Sequence, residues 1–371
     1  MSSRIIAGIC ALSLLGTVCV SAQEIPAQPS TIQAKETPGP AKASTAVIDP
    51  RWFEFDTVTL GFRPRIIENS EGVRTATQLQ YKLDFKGRFN FDKDGKYSIH
   101  VGISTGDNFR GGWNTTGIGT GPLSHDLNIK EVYFSARLSK WAKFEGGGLP
   151  LGKQCGLSTE ITCIDDDAYM VGERGVFELP GKLYFDKVEI TGGYIGDFLQ
   201  PNVFKRLSRL NNFNFIQITG SKRISKQVSF SASYASAAGV QTLRQAAEIA
   251  PDQGLSFLVE AYQRLDLRPD AGFAVSLNKD LFKGFKVKGG YAQIDRDGCV
   301  LNGDRYGCGK QIFFTGVYKI NQWMELETFG KRAIGNDYSI PNRTRVDLVL
   351  KFDLAKVLKL KMTQSIPRGT R

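Results

Sequence analysis

The sequence predicts a transmembrane antiparallel β-barrel of about sixteen strands, within a range of fourteen to eighteen. Three observations carry that reading. From residue 52 onward the dominant hydrophobic period is two, with one face apolar and the other polar or charged. The links between these runs alternate between short and long. No internal stretch reaches the ~18 apolar residues that a membrane-spanning helix needs. The 371 residues include 48 Lys and Arg against 37 Asp and Glu, and 41% are hydrophobic, which excludes a largely disordered chain. Composition alone still admits soluble all-β and mixed folds, so the patterning has to decide.

In chain order, Arg4 supplies a positive n-region and Ile5 to Val20 an apolar h-region too short for a stable span. Val20-Ser21-Ala22 follows as a permissive cleavage site, so residues 1–22 read as a signal peptide cut after Ala22. Residues 23–51 carry Pro26, Pro29, Pro38, Pro40 and Pro50 among Ala, Gln, Thr and Lys. Such a segment buries too little apolar surface to offset its ordering entropy and reads as a periplasmic linker. Four cysteines lie beyond the signal, as the close pairs Cys155 with Cys163 and Cys299 with Cys308. In an oxidising compartment these read as two local disulfides, each pinning one loop. Intervals of seven and eight residues do not suit a four-cysteine zinc site.

The clearest strand is Thr77 to Phe91. Leu79, Tyr81, Leu83, Phe85, Phe89 and Phe91 alternate with Gln78, Gln80, Lys82, Asp84, Lys86, Arg88 and Asn90. A run of ~15 residues exceeds the usual soluble strand and suits a tilted membrane strand with some extension. Similar alternation recurs at Val132–Leu138, Val228–Tyr234, Phe273–Leu277, Phe285–Tyr291 and Val346–Phe352. Short links such as Asp92–Gly95 and Leu281–Gly284 alternate with longer ones such as Thr105–Asp126, Gly152–Gly172 and Asp297–Gly309. That asymmetry is the one expected of short periplasmic turns and longer extracellular loops. Numbering by links yields sixteen strands over residues 52–354, with both ends in the periplasm. Two segments have alternatives: Val240–Ile249 as a helix, and Val357–Met362 as a further strand within the basic C-terminal segment 355–371. Closure is required because no open edge is tolerated in a bilayer, and so wide a barrel leaves a water-filled lumen.

The alternation assigns Arg63, Arg65, Lys82, Lys86, Arg88, Arg137, Arg264, Lys286, Lys288 and Lys351 to the lumen as cations. Asp84, Glu131, Glu260, Glu325, Glu327 and Asp347 join them as anions. Ten against six suggests a mildly anion-attracting lumen. The alternative is local balance across strands, with the net charge at the rims meeting anionic lipopolysaccharide. In the loop Gly152–Gly172, Asp165, Asp166 and Asp167 have three readings: a pore constriction, a calcium site, or a solvated acidic loop. Trp52, Trp141 and Trp323 lie near short turns and fit an interfacial girdle, whereas Trp113 in a Gly-rich loop either stacks on a sugar or anchors its own loop.

Enzymatic chemistry has little support. His100 and His125 are the two histidines, which excludes a multi-histidine metal centre, and no Gly-x-Ser-x-Gly elbow accompanies them. No Walker loop, dinucleotide fingerprint or zinc pattern occurs, so no cofactor or metal is expected. The basic residues are dispersed across the strands without a compact cluster, and the export signal also argues against nucleic acid.

Taken together, signal peptide, alternation and loop asymmetry resemble the Gram-negative outer-membrane porins across residues 52–354. Gly146-Gly147-Gly148-Leu149-Pro150-Leu151-Gly152 is more narrowly similar to a strand end of the phosphate-selective porin O and P group. The chain departs from the porin pattern in lacking a final aromatic residue, Phe352 being the nearest substitute. The resemblance implies a channel for small hydrophilic solutes or anions, an inward-folded third loop and a homotrimer in the outer membrane. The alternative is a structural or adhesive barrel without open conductance.

Overall fold

The structure is a computed structural model. It describes residues 52–360, apart from 70, 110, 121–125, 153–155, 158–167, 180, 182–183, 266–270, 295–304, 307, 336–343 and 359. The expected Cys155–Cys163 pair, Cys299, Asp165, Asp166, Asp167, His125, the signal peptide, the linker and residues 359 and 361–371 of the basic C-terminal segment lie outside the described residues.

Sixteen strands form one closed antiparallel barrel. In chain order they are β1 (Phe53–Glu68), β2 (Arg74–Asn90), β3 (Tyr97–Ser104), β4 (Asn128–Arg137), β5 (Ala142–Pro150), β6 (Tyr169–Glu178), β7 (Lys187–Tyr194) and β8 (Phe215–Arg223). There follow β9 (Val228–Ala237), β10 (Val240–Asp252), β11 (Leu255–Arg264), β12 (Ala271–Phe282), β13 (Phe285–Ile294), β14 (Gly309–Lys319), β15 (Met324–Ala333) and β16 (Thr344–Asp353). Each strand pairs with its sequence neighbours, and β16 closes on β1 through pairs such as Thr59 with Asp353 and Arg65 with Asp347. Closure satisfies backbone groups that an open edge would leave bare in lipid.

The burial pattern is inverted relative to a soluble protein. On β1, Arg63 and Arg65 are 8% and 6% exposed, whereas Phe62 and Ile66 beside them are 40% and 36% exposed. On β11, Glu260 and Arg264 are buried while Phe257 and Val259 stand outward. Side chains alternate between faces along a strand, so an apolar outer wall dictates a polar inner one.

The structure corrects one sequence alternative. Val240–Ile249 is part of β10, paired residue for residue with β9 and β11, rather than a helix. Its inward residues Thr242, Arg244 and Ala246 are buried, so the helix-like spacing of Leu243, Ala246, Ala247 and Ile249 does not report one face. After β16 comes a short helix α2 (Leu354–Val357), capped by the Asp353 carboxylate on the Lys356 N–H, so Val357 belongs to a helix. Residues 359, 361 and 362 of the Val357–Met362 alternative fall outside the described residues.

One hairpin leaves the wall. Arg174 on β6 faces Glu145 on β5 in register, yet its Nη2 also donates to the Pro150 carbonyl. Five residues of extended strand would separate those levels by ~16 Å. The β5–β6 hairpin therefore bends above Glu145, at Gly146-Gly147-Gly148. Gly147 has φ +131°, and a Cβ there would lie 2.4 Å from the Val132 carbonyl oxygen. At the far end of this hairpin, Leu157 N–H donates to Ser231 Oγ of β9, and Gly156 abuts Ser231 and Thr219. A short helix α1 (Val203–Leu207), from the link between β7 and β8, packs Val203 onto Gly148 and shares a buried cluster with Phe109, Tyr169 and Val171.

Candidate functional site: the charged interior of the barrel

The inner wall carries ion pairs within a strand, between neighbouring strands and across an intervening strand. Lys82 pairs with Asp84 at 2.9 Å, Lys86 with Glu131, and Arg88 with Glu54 at 2.7 Å. These contacts follow from register, because Gly102 stands between Lys86 and Glu131 and is too small to separate them. His100 lies flat on Tyr133, ring centres 4.5 Å apart, with Nδ1 3.4 Å from Asp56 and Nε2 3.1 Å from Ser98 Oγ.

Three carboxylates each hold two cations. Asp347 accepts from Arg65 (2.9 Å) and Arg345 (2.6 Å), Glu145 from Lys143 (2.6 Å) and Arg174 (3.0 Å), and Glu327 from Lys351 (2.6 Å) and Arg305. The groups around Asp347 and Glu145 pair one carboxylate with two cations, whereas Lys351 also reaches Glu325, which balances the third. Arg305 also lies over the Phe329 ring at 4.7 Å, and Arg345 approaches the same ring at 5.5 Å.

The residues assigned to the lumen from alternation distribute along this wall. Arg63, Arg65, Glu131, Glu260, Arg264, Asp347 and Glu327 are buried inside it. Lys82, Asp84, Lys86, Arg88 and Lys288 are half-buried. Lys351 ties Glu327 to Glu325, which is 3.8 Å away. Arg137 and Lys286 are exposed at the ends of their strands, and Lys286 pairs with Asp280. Lys286 and Lys288 line a cavity of about 550 Å³ together with Glu248, Asp252 and Thr315.

Sequence reasoning missed Glu54, Lys130, Lys143, Glu145, Arg174, Arg244, Arg305 and Lys331, all part of the interior. Lys331 shares the parity of Glu325 and Glu327, so alternation alone was sufficient to find it. Lys143, Glu145 and Arg174 lie on strands where glycines interrupt the period. Arg305 comes from a loop and has no periodic signal. Trp113, expected in an outer loop, instead packs within the barrel on Arg63. Cys308 is disulfide-bonded, and its expected partner lies outside the described residues.

No family model and no curated relative matches the sequence. Among solved structures the chain is similar to OmpF of Salmonella typhi in complex with daunomycin, at TM-score 0.53 and 10% identity over 80% of this chain and 96% of that one. It is also similar to a mutant of the Rhodopseudomonas blastica porin, at TM-score 0.53 and 11% identity over 81% and 99% of the two chains. A loop-deletion mutant of OmpT, an outer membrane protein of Vibrio cholerae, aligns at TM-score 0.50 and 9% identity over 81% and 99%. At such identities the likeness is one of fold, and the fold is that of the outer-membrane porins. These neighbours do not carry the narrower likeness to the phosphate-selective group, and the glycine run it rested on forms the bend of the β5–β6 hairpin.

Proposed function

We propose that this chain is an outer-membrane porin, passing small hydrophilic solutes by diffusion with a mild preference for anions, and that it performs no enzymatic step. The observation that carries the reading is the interior itself. A closed sixteen-stranded barrel directs charged side chains inward and apolar ones outward, and the interior carboxylates Asp347 and Glu145 are each bracketed by two cations. A lumen of that kind lowers the barrier for anions relative to cations.

On this reading the lining residues named above border the water path, and the third loop narrows it. The contacts of Gly156 and Leu157 with the β8–β9 wall support an inward course for the start of that loop, and Asp165, Asp166 and Asp167 are its proposed constriction residues. The protein is exported by cleavage after Ala22, with disulfides Cys155–Cys163 and Cys299–Cys308 in its loops. It sits as a homotrimer among outer-membrane lipid and lipopolysaccharide.

Single-channel recording of refolded protein in a planar bilayer under a KCl gradient tests this. Stepwise conductance with an anion-selective reversal potential is expected. Cation selectivity would overturn the anion preference alone. Protein shown to be folded by circular dichroism but without conductance would overturn the channel and favour the structural or adhesive barrel.

A further inference from the structure

A cavity of about 550 Å³ lies on the inner wall, at the end where short links join β10 to β11 and β12 to β13. That volume falls within the ~300–1,000 Å³ of small-molecule sites. Its charges are segregated by strand. Glu248 and Asp252 stand on β10, whereas Lys286 and Lys288 stand on β13. Between them β11 contributes no charge and β12 one of each sign, Lys279 and Asp280, so the formal charges of the lining balance. Asp252 lies 3.9 Å from Lys279 and Asp280 lies 3.2 Å from Lys286, in exposed pairs that a solute can displace at little cost. Glu248 shares the inward parity of Arg244 and Ala246, and makes no ion pair or hydrogen bond with the described residues. The floor between the two charged sides is hydrogen-bonding. Ser256, Asn278 and Thr315 occupy one register row across β11, β12 and β14, and Asn278 Nδ2 donates to Ser256 Oγ at 3.3 Å.

We propose that this cavity is a binding subsite for zwitterions of dipeptide length, with the ammonium toward Glu248 and the carboxylate toward Lys286 and Lys288. The proposal rests on the channel reading for the solute's access to the lumen. A lining whose charges balance favours a ligand without net charge, and their segregation favours one that carries both signs. The strands set the length. β10 and β13 are three strand spacings apart, ~14 Å, and the glutamate and lysine side chains close part of that gap. An α-amino acid carries both its charges on one residue and falls short, whereas two extended residues span ~7 Å. The peptide group of such a ligand lies over Ser256, Asn278 and Thr315, which offer it both donors and acceptors. A simple anion or a simple cation meets only one side.

Saturation-transfer NMR titrations of the folded, full-length protein with glycylglycine, N-acetylglycine and glycylglycinamide test this for the wild type, Glu248→Gln and Lys286→Gln. N-acetylglycine keeps the length and the carboxylate but has no ammonium, and glycylglycinamide keeps the ammonium but has no carboxylate. Wild type is expected to bind glycylglycine roughly 2- to 5-fold more tightly than either analogue. Glu248→Gln should remove the advantage over N-acetylglycine, and Lys286→Gln should reduce the advantage over glycylglycinamide. Equal affinity of the wild type for all three probes overturns the inference, as does a full glycylglycine advantage in both folded variants. KCl conductance of the same wild-type preparation separates the two readings. Conductance without a glycylglycine preference overturns the subsite and leaves the channel standing. A preference without conductance supports the subsite and overturns the channel.

Discussion

Asp347 has no exposed side-chain surface and lies between two guanidiniums, Arg65 and Arg345, that are themselves nearly covered. Removing one partner of a buried charge group leaves the others uncompensated, at a cost on the order of 3–5 kcal/mol. Asp347→Asn is therefore expected to lower barrel stability in urea titrations from lipid vesicles by about that amount. It should also shift the reversal potential further toward anions, since two cations lose their shared counter-ion. Gly147 makes a different demand. At φ +131°, with the Val132 carbonyl where a Cβ would go, Gly147→Ala stores strain of roughly 1–3 kcal/mol. An unchanged urea midpoint would contradict the bend described for this hairpin. Asp347 was readable from simple alternation, whereas the need for glycine at 147 depends on a neighbouring strand and has no local signal.

The link between β6 and β7 is locked by one carboxylate. Asp186 accepts the Arg223 backbone N–H at 2.9 Å and the Lys222 ammonium at 2.9 Å, tying the β6–β7 link to the end of β8. The Arg223 N–H is the main cause that holds its carboxyl below the usual aspartate value, with Lys222 adding to it. A carboxyl depressed on folding contributes stability that is fully present above its unfolded value of about 3.9 and is lost as pH falls below it. Wild type is thus expected to be more stable than Asp186→Asn at pH 6, and the gap should narrow as pH drops from about 5 toward 3. A gap that stays constant across this range would show that the lock does not depend on ionisation. At this scale strand positions followed well from period two, because half-buried sheets impose it on every residue. The β5–β6 hairpin did not, because its departure from the wall is encoded in glycines that also occur in ordinary turns.

For the whole molecule, the outer surface contains one anomaly. Glu173, at the centre of β6, is exposed on the outward face and is flanked in register by Gly146 and Gly192. Among the described residues no ion pair is formed by it. An acidic side chain on a lipid-facing strand destabilises a barrel, by less than the few kcal/mol found for Lys or Arg at the midplane. Glu173→Leu is therefore expected to stabilise the barrel in vesicles by about 1 kcal/mol. A loss of stability instead would show that this face is covered by protein, as an interface between copies would require. The all-β class, the strand count and the identity of most interior charges followed from the sequence, because alternation and link length are local and repeat along the chain. The bend of the third-loop hairpin, the two-cation groups around single carboxylates, and Trp113 inside the lumen did not. They arise where strands distant in sequence become neighbours through closure, and a contact between residues such as Arg65 and Asp347 exists only once the last strand has met the first.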